Sequence, residues 1–208
     1  MLNYVQIGSN IGADFFAQKI NNLTERCNVY LFEPNTILID QLTENYKHLS
    51  ALHNVSIISK GVVADKTINK LHVYKQAPTD TMLPNYGLTS ILHRKSYDNV
   101  LATIPMDTIT FHEFCKEYNI EKIELLMIDT EGYDYEILNS IDLECIDIKE
   151  IMCEHWGDDG DDMDNTREIR TGATFFANVI IPKYEKYYSI SMDKFDEIPN
   201  DIFKKIAL

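Results

Sequence analysis

The start of the chain constrains the fold most, because an apolar run there breaks into a glycine loop and then into a helical pattern. The apolar run covers residues 5–7, and the loop Gly-Ser-Asn-Ile-Gly covers residues 8–12. A second apolar run, 29–32, ends in Glu33. Glycine lets the backbone approach a ligand without an intervening Cβ, and an acid at the end of the next strand can accept hydrogen bonds from two ribose hydroxyls. Together these features predict a nucleotide-type cofactor site in an α/β sheet.

Apolar runs alternate with helical patterns along the chain, which is typical of a parallel sheet with right-handed crossovers. The predicted strands lie near 3–7, 28–33, 55–60, 70–75, 123–128, 148–154 and 186–192. The predicted helices lie near 12–26, 35–50, 110–119, 134–142 and 165–180. A length of 208 residues suits one domain of ordinary size, so we expect a single α/β domain over 1–208, with 195–208 unassigned.

The segment 76–103 interrupts this alternation, since it carries Pro78, Pro84 and Gly87 and has no clear period. A long loop inside a compact domain is usually functional or disordered. We interpret it as a lid over the substrate, near the carboxyl ends of the strands. Its polar side chains suit a hydrogen-bonding acceptor such as a carbohydrate, and equally a solvated surface loop; they are Tyr86, Thr89, Ser90, His93, Arg94 and Tyr97.

Polar residues follow four of the predicted strands, and ligands bind outside the carboxyl ends of strands in open α/β sheets. The four clusters are 8–10, 33–35, 129–132 and 154–156. In the third cluster, Asp129 and Glu131 are candidates for ligand contact, although acids also favour helix N-termini. In the fourth, His155 is a candidate proton acceptor because imidazole titrates close to neutral pH; a structural hydrogen bond would explain it too.

The net charge of −14 argues against nucleic acid as a partner, because an acidic surface repels phosphate backbones. The chain has no apolar run long enough for a membrane span and no secretory signal, so we expect a cytoplasmic protein. Its four cysteines form no CxxC pair. The acidic run 158–162 lacks EF-hand spacing, so no metal site is predicted.

Three blocks of sequence carry a resemblance to a known family. Residues 5–12 are similar to its first motif, a strand followed by Gly-Ala-Asn-x-Gly, and residues 32–35 read Phe-Glu-Pro-Asn, as they do there. The longest block, 104–109 followed by 123–138, contains Ile-Asp-Thr-Glu-Gly-Tyr-Asp, which looks like the family's Lys-Ile-Asp-Val-Glu-Gly-x-Glu segment. In this order, the blocks resemble the FkbM-type S-adenosylmethionine-dependent methyltransferases.

The resemblance implies a class I methyltransferase fold, a Rossmann-like α/β architecture with a seven-stranded, mostly parallel sheet and helices on both faces. It also implies S-adenosylmethionine as cofactor and an O-methyl product on a hydroxyl of a small molecule or carbohydrate. The cofactor-binding residues that it implies are Gly8, Ser9, Asn10, Gly12, Glu33, Pro34, Asn35, Gly61, Val62 and Asp129. With Asp129 and Glu131 placed between cofactor and acceptor, the candidate catalytic residues are Asp129, Glu131 and, less favoured, His155.

The chain departs from the family at four positions, since Gln6 replaces an acid, Met127 replaces a lysine, Asp134 replaces a glutamate and Ser140 replaces a common glycine. The last two changes are mild, and the first two leave room for a catalytically silent cofactor-binding module. A second alternative is a nicotinamide-dependent oxidoreductase on the same kind of scaffold. Its Gly-x-Gly-x-x-Gly fingerprint is not matched, because the glycines here are Gly8 and Gly12.

Overall fold

The computed structural model describes residues 1–74, 88–90, 100–155, 173–195 and 198–206. Its strands, in chain order, are β1 (Asn3–Ile7), β2 (Asn28–Phe32), β3 (Asn54–Ile58), β4 (Gly61–Val62), β5 (Lys70–Tyr74), β6 (Leu88–Ser90), β7 (Val100–Pro105), β8 (Thr108–Ile109), β9 (Lys122–Ile123), β10 (Leu125–Ile128), β11 (Asp147–Ile148), β12 (Glu150–Glu154), β13 (Tyr188–Phe195) and β14 (Ile198–Lys205). The helices are α1 (Phe15–Asn21), α2 (Ile39–Tyr46), α3 (Phe111–Glu117) and α4 (Asp134–Ser140), followed by a C-terminal helical run of Ala173–Phe175, the π-helical Phe176–Ile180 and Ile181–Tyr184.

Seven strands form the main sheet, in the order β13-β14-β12-β10-β1-β2-β3. Strands β3, β2, β1, β10 and β12 run parallel, and β14 pairs antiparallel with β12 and β13. The sheet separates two apolar cores, one containing Val5, Phe32 and Phe114, the other containing Phe16 and Leu42. All four residues of β10 are buried, as expected for a central strand covered on both faces. The predicted fold class is therefore confirmed.

Two regions differ from the sequence-based prediction. Residues 70–75 were expected to join the parallel sheet, but β5 pairs antiparallel with β6 and β7 in a separate three-stranded sheet. The segment 76–103 was expected to be a long loop, but it contains β6 and the first four residues of β7. Residues 75–87 and 91–99 are outside the described residues, so the predicted lid stays a prediction. Proline at the end of β7 suits a strand end, where no ladder donor is lost.

The C-terminal stretch left unassigned forms β14, which lies inside the sheet between β12 and β13. Its apolar core residues Ile202 and Phe203 are flanked by charged residues, so the sequence shows no period of two. The predicted helices are present but shorter: α1 begins after Asp14, whose side chain accepts a hydrogen bond from the Ala17 N–H. Of the helix predicted over 165–180, residues 165–172 are outside the described residues. No helix that the structure describes has the length and apolarity needed to cross a membrane.

Candidate active site

A pocket opens where the carboxyl ends of β1, β2, β3 and β10 meet. Ligands of open α/β sheets bind at this edge. The residues that line it are Ile7, Gly8, Asn10, Phe32, Glu33, Pro34, Lys60, Gly61, Val62, Leu71, Thr89, Asp129, Thr130 and Glu131. Three of the four predicted polar clusters, 8–10, 33–35 and 129–132, supply lining residues, as do residues 60–62. The fourth cluster, 154–156, supplies none, and the three-stranded sheet of β5, β6 and β7 adds Leu71 and Thr89.

Gly8 closes the floor of the pocket because it brings the end of β1 against the end of β10. Its φ of +83° lies in the left-handed region, and a Cβ there would overlap the carbonyl oxygen of Asp129. The backbone N–H groups of Gly8 and Ser9 both donate to the Phe32 carbonyl, at 3.0 and 2.9 Å. The glycine loop is thus tied to β2 and β10 together, and only glycine fits at position 8.

Glu33 is a buried carboxylate at the pocket wall. The backbone N–H of Asn10 donates to its Oε2 at 2.7 Å, and that of Asn35 donates to its Oε1 at 2.8 Å. Burial raises the pKa of Glu33 to about 7, against the lowering effect of these two hydrogen bonds. A carboxylate has lone pairs beyond the two used here, so Glu33 can also accept from a ligand diol.

Seven of the ten predicted cofactor residues line the pocket, whereas Ser9, Gly12 and Asn35 do not. Ser9 is fully buried, and Asn35 accepts from the Ile37 N–H at the turn before α2. A Cβ on Gly12 would meet the Tyr46 ring and the Leu42 side chain, so this glycine allows α2 to pack closely. Ser9 and Gly12 thus shape the glycine loop, and Asn35 shapes the turn before α2, without lining the pocket.

Gln6, the first departure from the family pattern, is fully buried behind the glycine loop. Its Nε2 donates to Asp14 Oδ2 at 2.5 Å, while its Oε1 has no hydrogen-bond partner. Burial raises the pKa of Asp14, and the Gln6 and Ala17 N–H donors lower it. A carboxylate is therefore present beside position 6, supplied by the residue that caps α1.

The loop after β10 presents Asp129, Thr130 and Glu131 to the pocket. Asp134, fully buried, holds this loop: its carboxylate accepts from the Thr130 N–H (3.3 Å), the Thr130 hydroxyl (3.0 Å) and the Gly132 N–H (3.1 Å). Glu131 has a φ of +56°, an unusual conformation for a residue with a side chain. The hydrogen bonds to Asp134 fix that turn. Asp134, which stands where the family has a glutamate, therefore still supplies a carboxylate that holds the loop.

The charged residues of the pocket lining are mostly acidic. Asp129 has a pKa raised well above its ordinary value, first by burial and then by the charges of Glu131, Asp134, Glu154 and Asp14. Three lining residues are carboxylic acids, and Lys60 is the one cation among the described lining residues. A cation bound beside these acids would favour their ionised forms, so the lining suits a ligand that carries positive charge. Within the described ranges, no group of three or more metal-binding side chains is present.

His155 lies outside this pocket, at the end of β12. Its Nδ1 is 2.9 Å from Asp201 Oδ1, and the Tyr135 hydroxyl donates to Asp201 Oδ2 at 2.7 Å. Sequence reasoning missed Asp201 and Tyr135, and also Leu71 and Thr130 among the lining residues. Thr130 stands inside a recognised motif and could have been found there. Asp201 is 46 residues from His155 in sequence, and no local pattern links them.

Six polar side chains of the segment 76–103 were expected to suit a hydrogen-bonding acceptor. Four of them, Tyr86, His93, Arg94 and Tyr97, are outside the described residues. Thr89 and Ser90 are described, and both adjoin the site: Thr89 lines the pocket, and the Ser90 hydroxyl donates to the Glu131 carbonyl at 3.0 Å. The three-stranded sheet, called the small sheet below, therefore contacts the loop after β10 directly.

The family model described as the methyltransferase FkbM domain matches residues 6–175 of this chain. Among solved structures, a protein assigned as an rRNA methylase of Clostridium thermocellum is similar, with 12% identity, a TM-score of 0.50, and coverage of 98% of this chain and 88% of that one. A protein assigned as a caffeoyl-CoA O-methyltransferase of Staphylococcus aureus has 11% identity, a TM-score of 0.48, and coverage of 98% and 76%. No curated protein sequence matches the chain.

Proposed function

Because the chain belongs to the FkbM methyltransferase family, we propose that it transfers a methyl group from S-adenosylmethionine to a hydroxyl of a small molecule or carbohydrate. The acidic pocket at the carboxyl edge of the sheet carries this proposal. Family membership makes the chain a methyltransferase and sets aside the nicotinamide-dependent alternative. The pocket agrees, since its three carboxylic acids and single lysine would disfavour a pyrophosphate.

The residues of the pocket fit S-adenosylmethionine, which carries a sulfonium, an ammonium and a ribose diol. Glu33 has acceptor capacity for the diol, and Gly61 and Val62 offer a wall beside it for the base. Asp129 and Glu131 offer carboxylates to the cationic part. Gly8 and Asn10 border the same space from the loop after β1. When bound, the cofactor supplies an electrophilic methyl group.

The protein's own part in the reaction is to align the acceptor oxygen and to remove its proton. A hydroxyl is a weak nucleophile near neutral pH, so a positioned base helps the transfer. Three groups at this edge could take the proton: Asp129, Glu131 and His155. Asp129 and Glu131 line the pocket, where they would position the donor and the acceptor.

The chemistry of the site favours an uncharged, hydroxyl-bearing acceptor. Carboxylates accept hydrogen bonds from hydroxyl groups and repel phosphates, and the whole chain has a net charge of −14. A small molecule or carbohydrate fits these properties better than a nucleic acid does. RNA is therefore the competing acceptor that the transfer assay must include.

The first test is calorimetric titration of S-adenosylmethionine and S-adenosylhomocysteine into the wild type and Glu33→Ala. We expect binding that weakens by about 1–3 kcal/mol on loss of the ribose acceptor. Glu124→Ala is the matched control, since Glu124 is a mostly buried carboxylate that lies before β10, at the opposite edge of the sheet. No heat and no thermal shift with either ligand would contradict the proposed cofactor site.

The second test measures transfer of a radiolabelled methyl group to a panel of methyl glycosides, catechols and single-stranded RNA. Label on a glycoside or catechol, with little on RNA, is the expected result. Label on RNA alone would replace the proposed acceptor class. No label on any acceptor, with cofactor binding intact, would support the catalytically silent module.

A further inference from the structure

We propose that His155 is the base that accepts the acceptor's proton, and that Asp201 and Tyr135 are positioning residues that hold its imidazole ready. This inference rests on the proposed transfer to a hydroxyl and names a group that serves it. The chain of contacts is short: His155 Nδ1 lies 2.9 Å from Asp201, and Asp201 accepts from the Tyr135 hydroxyl at 2.7 Å.

The strand register places His155 beside the pocket rather than inside it. Ile128 of β10 pairs with Cys153 of β12, so Asp129 and Glu154 follow side by side at the carboxyl edge. The charge of Glu154 is felt at Asp129, in agreement with this neighbourhood. His155 comes one residue later. In this proposal the cofactor lies against Asp129 and Glu131, which line the pocket, and the acceptor lies between the cofactor and His155.

The hydrogen bonds determine which nitrogen of His155 is available. Asp201 already accepts from Tyr135 through Oδ2, and an ionised carboxylate has no proton to give through Oδ1. The imidazole must then donate from Nδ1, which leaves the lone pair on Nε2. In the part of the chain that the structure describes, Nε2 makes no hydrogen bond. The side chain is 26% exposed, so the imidazole is accessible from solvent.

The surroundings of Asp201 fix the orientation of the imidazole. Asp201 is 2% exposed on β14, and burial raises its pKa while the Tyr135 and His155 contacts lower it. The rings of His155 and Phe176 form a T-shaped pair with centroids 5.9 Å apart. The Tyr135 ring stacks on the same Phe176, with centroids 5.1 Å apart. The His155 backbone N–H donates to the Pro199 carbonyl at 2.9 Å. Backbone and side chain are both held, which is what a base of defined direction requires.

In the transfer step, His155 Nε2 takes the proton as the O–H bond of the acceptor breaks. The acceptor oxygen forms its new bond to the methyl carbon, the carbon–sulfur bond breaks, and its electron pair stays on sulfur. His155 ends the step protonated, with Asp201 beside it to stabilise the charge, and it then releases the proton to solvent.

The position of the proton on His155 can be measured without an acceptor. Two-dimensional ¹⁵N–¹H NMR of histidine-labelled protein reports whether Nδ1 or Nε2 carries it. We expect Nδ1 protonation in the wild type and a shift toward Nε2 protonation in Asp201→Asn. A wild-type proton on Nε2, or an unchanged spectrum in Asp201→Asn, would overturn the positioning role of Asp201.

Kinetics with an acceptor from the panel then test the base itself. Loss of a general base costs about 10²–10⁴-fold in rate, so His155→Ala should lose that much kcat while its cofactor Kd stays within twofold. Added imidazole should restore part of the lost rate. A kcat within threefold of wild type would overturn the base role. No transfer by the wild type to any acceptor overturns the proposed function and the base role together, while the NMR result still decides the positioning.

A tyrosine pair provides the matched control, also if Asp201→Asn fails to fold. Tyr135→Phe and Tyr188→Phe each remove a buried hydroxyl with a 2.7 Å hydrogen bond, but the Tyr188 hydroxyl donates to the Ile148 carbonyl, away from His155. Tyr135→Phe should reduce kcat about fivefold, as expected for one such bond, with KM unchanged. Equal effects of the two substitutions on kcat would show that Tyr135 is merely structural.

Discussion

The two halves of the carboxyl edge are held by different kinds of contact. In the glycine-loop half, at the ends of β1 and β2, backbone N–H groups bind the Phe32 carbonyl and the Glu33 carboxylate. In the acidic half, at the ends of β10 and β12, side chains such as Asp134 and Asp201 do the holding. The first half depends on chain geometry, so it fixes where a ligand lies. The second depends on ionisable groups, so it fixes how charge and protons are handled.

The largest effect should come from Gly8→Ala, which breaks the junction between the two halves. An added Cβ would overlap the Asp129 carbonyl oxygen, and the φ of +83° disfavours alanine. We expect a loss of about 3 kcal/mol or more in the free energy of unfolding. If cofactor binding loses the same free energy, its affinity should fall by about 100-fold or more. Chemical denaturation and calorimetry measure both.

Gly12→Ala is the control for that substitution, because Gly12 also has a positive φ but does not line the pocket. Its Cβ would meet the side chains of Tyr46 and Leu42, so stability should fall by about 1–3 kcal/mol. The cofactor Kd should stay within threefold. Equal losses of affinity in both variants would show that the loop responds as one unit and that Gly8 has no special place in it.

The second prediction concerns Glu33, whose pKa of about 7 couples binding to pH. The folded pKa is above the ordinary 4.5, so its contribution to stability is present below pH 4.5 and is lost as the pH rises through 7. Cofactor binding should have the opposite slope, because the ribose hydroxyls need the ionised acceptor. Below pH 7 the affinity should fall by up to about tenfold per pH unit.

Glu33→Gln tests this coupling in both measurements. We would measure thermal unfolding without ligand and cofactor affinity by calorimetry, each at several pH values. In the variant, both quantities should lose the part of their pH dependence that comes from the titration of Glu33. At pH 8 the variant should bind the cofactor about 5–150-fold more weakly, which corresponds to 1–3 kcal/mol. Wild-type affinity that is flat between pH 5.5 and 8 would remove Glu33 from the ribose site.

The same contrast explains how much of the molecule could be predicted from its sequence. Strands β1, β2 and β10 are apolar runs with turn residues directly after them, so local pattern revealed both the strands and the pocket residues Gly8 and Glu33. Strand β14 breaks the rule, since lysines and an aspartate surround Ile202 and Phe203. Its place was fixed by pairing with β12, a contact between residues about 50 positions apart.

Function follows the same division. The geometry of the glycine loop and of Glu33 is determined by residues nearby in sequence, so a short sequence motif can predict it. The His155–Asp201 contact joins two strand ends, and Tyr135 enters it from α4. Nothing near His155 in the sequence indicates its partners. The antiparallel β5–β7 sheet was likewise missed, because its pairing is not a property of any single segment.

The third prediction sharpens the role of side chains in the acidic half. Asp134→Asn leaves one oxygen where two accept from three donors of the Thr130–Gly132 turn. We expect a loss of about 1–3 kcal/mol in the free energy of unfolding and a similar loss in cofactor binding. Thr130→Val removes the hydroxyl bond alone and should cost about 1 kcal/mol. Denaturation and calorimetry with both variants would separate turn geometry from a single contact.

The smallest expected effect is at Ser90, where the three-stranded sheet contacts the acidic half. Its buried hydroxyl donates to the Glu131 carbonyl at 3.0 Å, and Thr89 beside it lines the pocket. Ser90→Ala should weaken cofactor binding by about 0.5–1.5 kcal/mol, the net value of one such hydrogen bond. Thr103→Val is the control, since Thr103 bonds His72 within the small sheet and does not reach the pocket. If calorimetry shows the same change for both substitutions, the small sheet acts through its own stability. If only Ser90→Ala weakens binding, the contact with Glu131 couples the small sheet to the site.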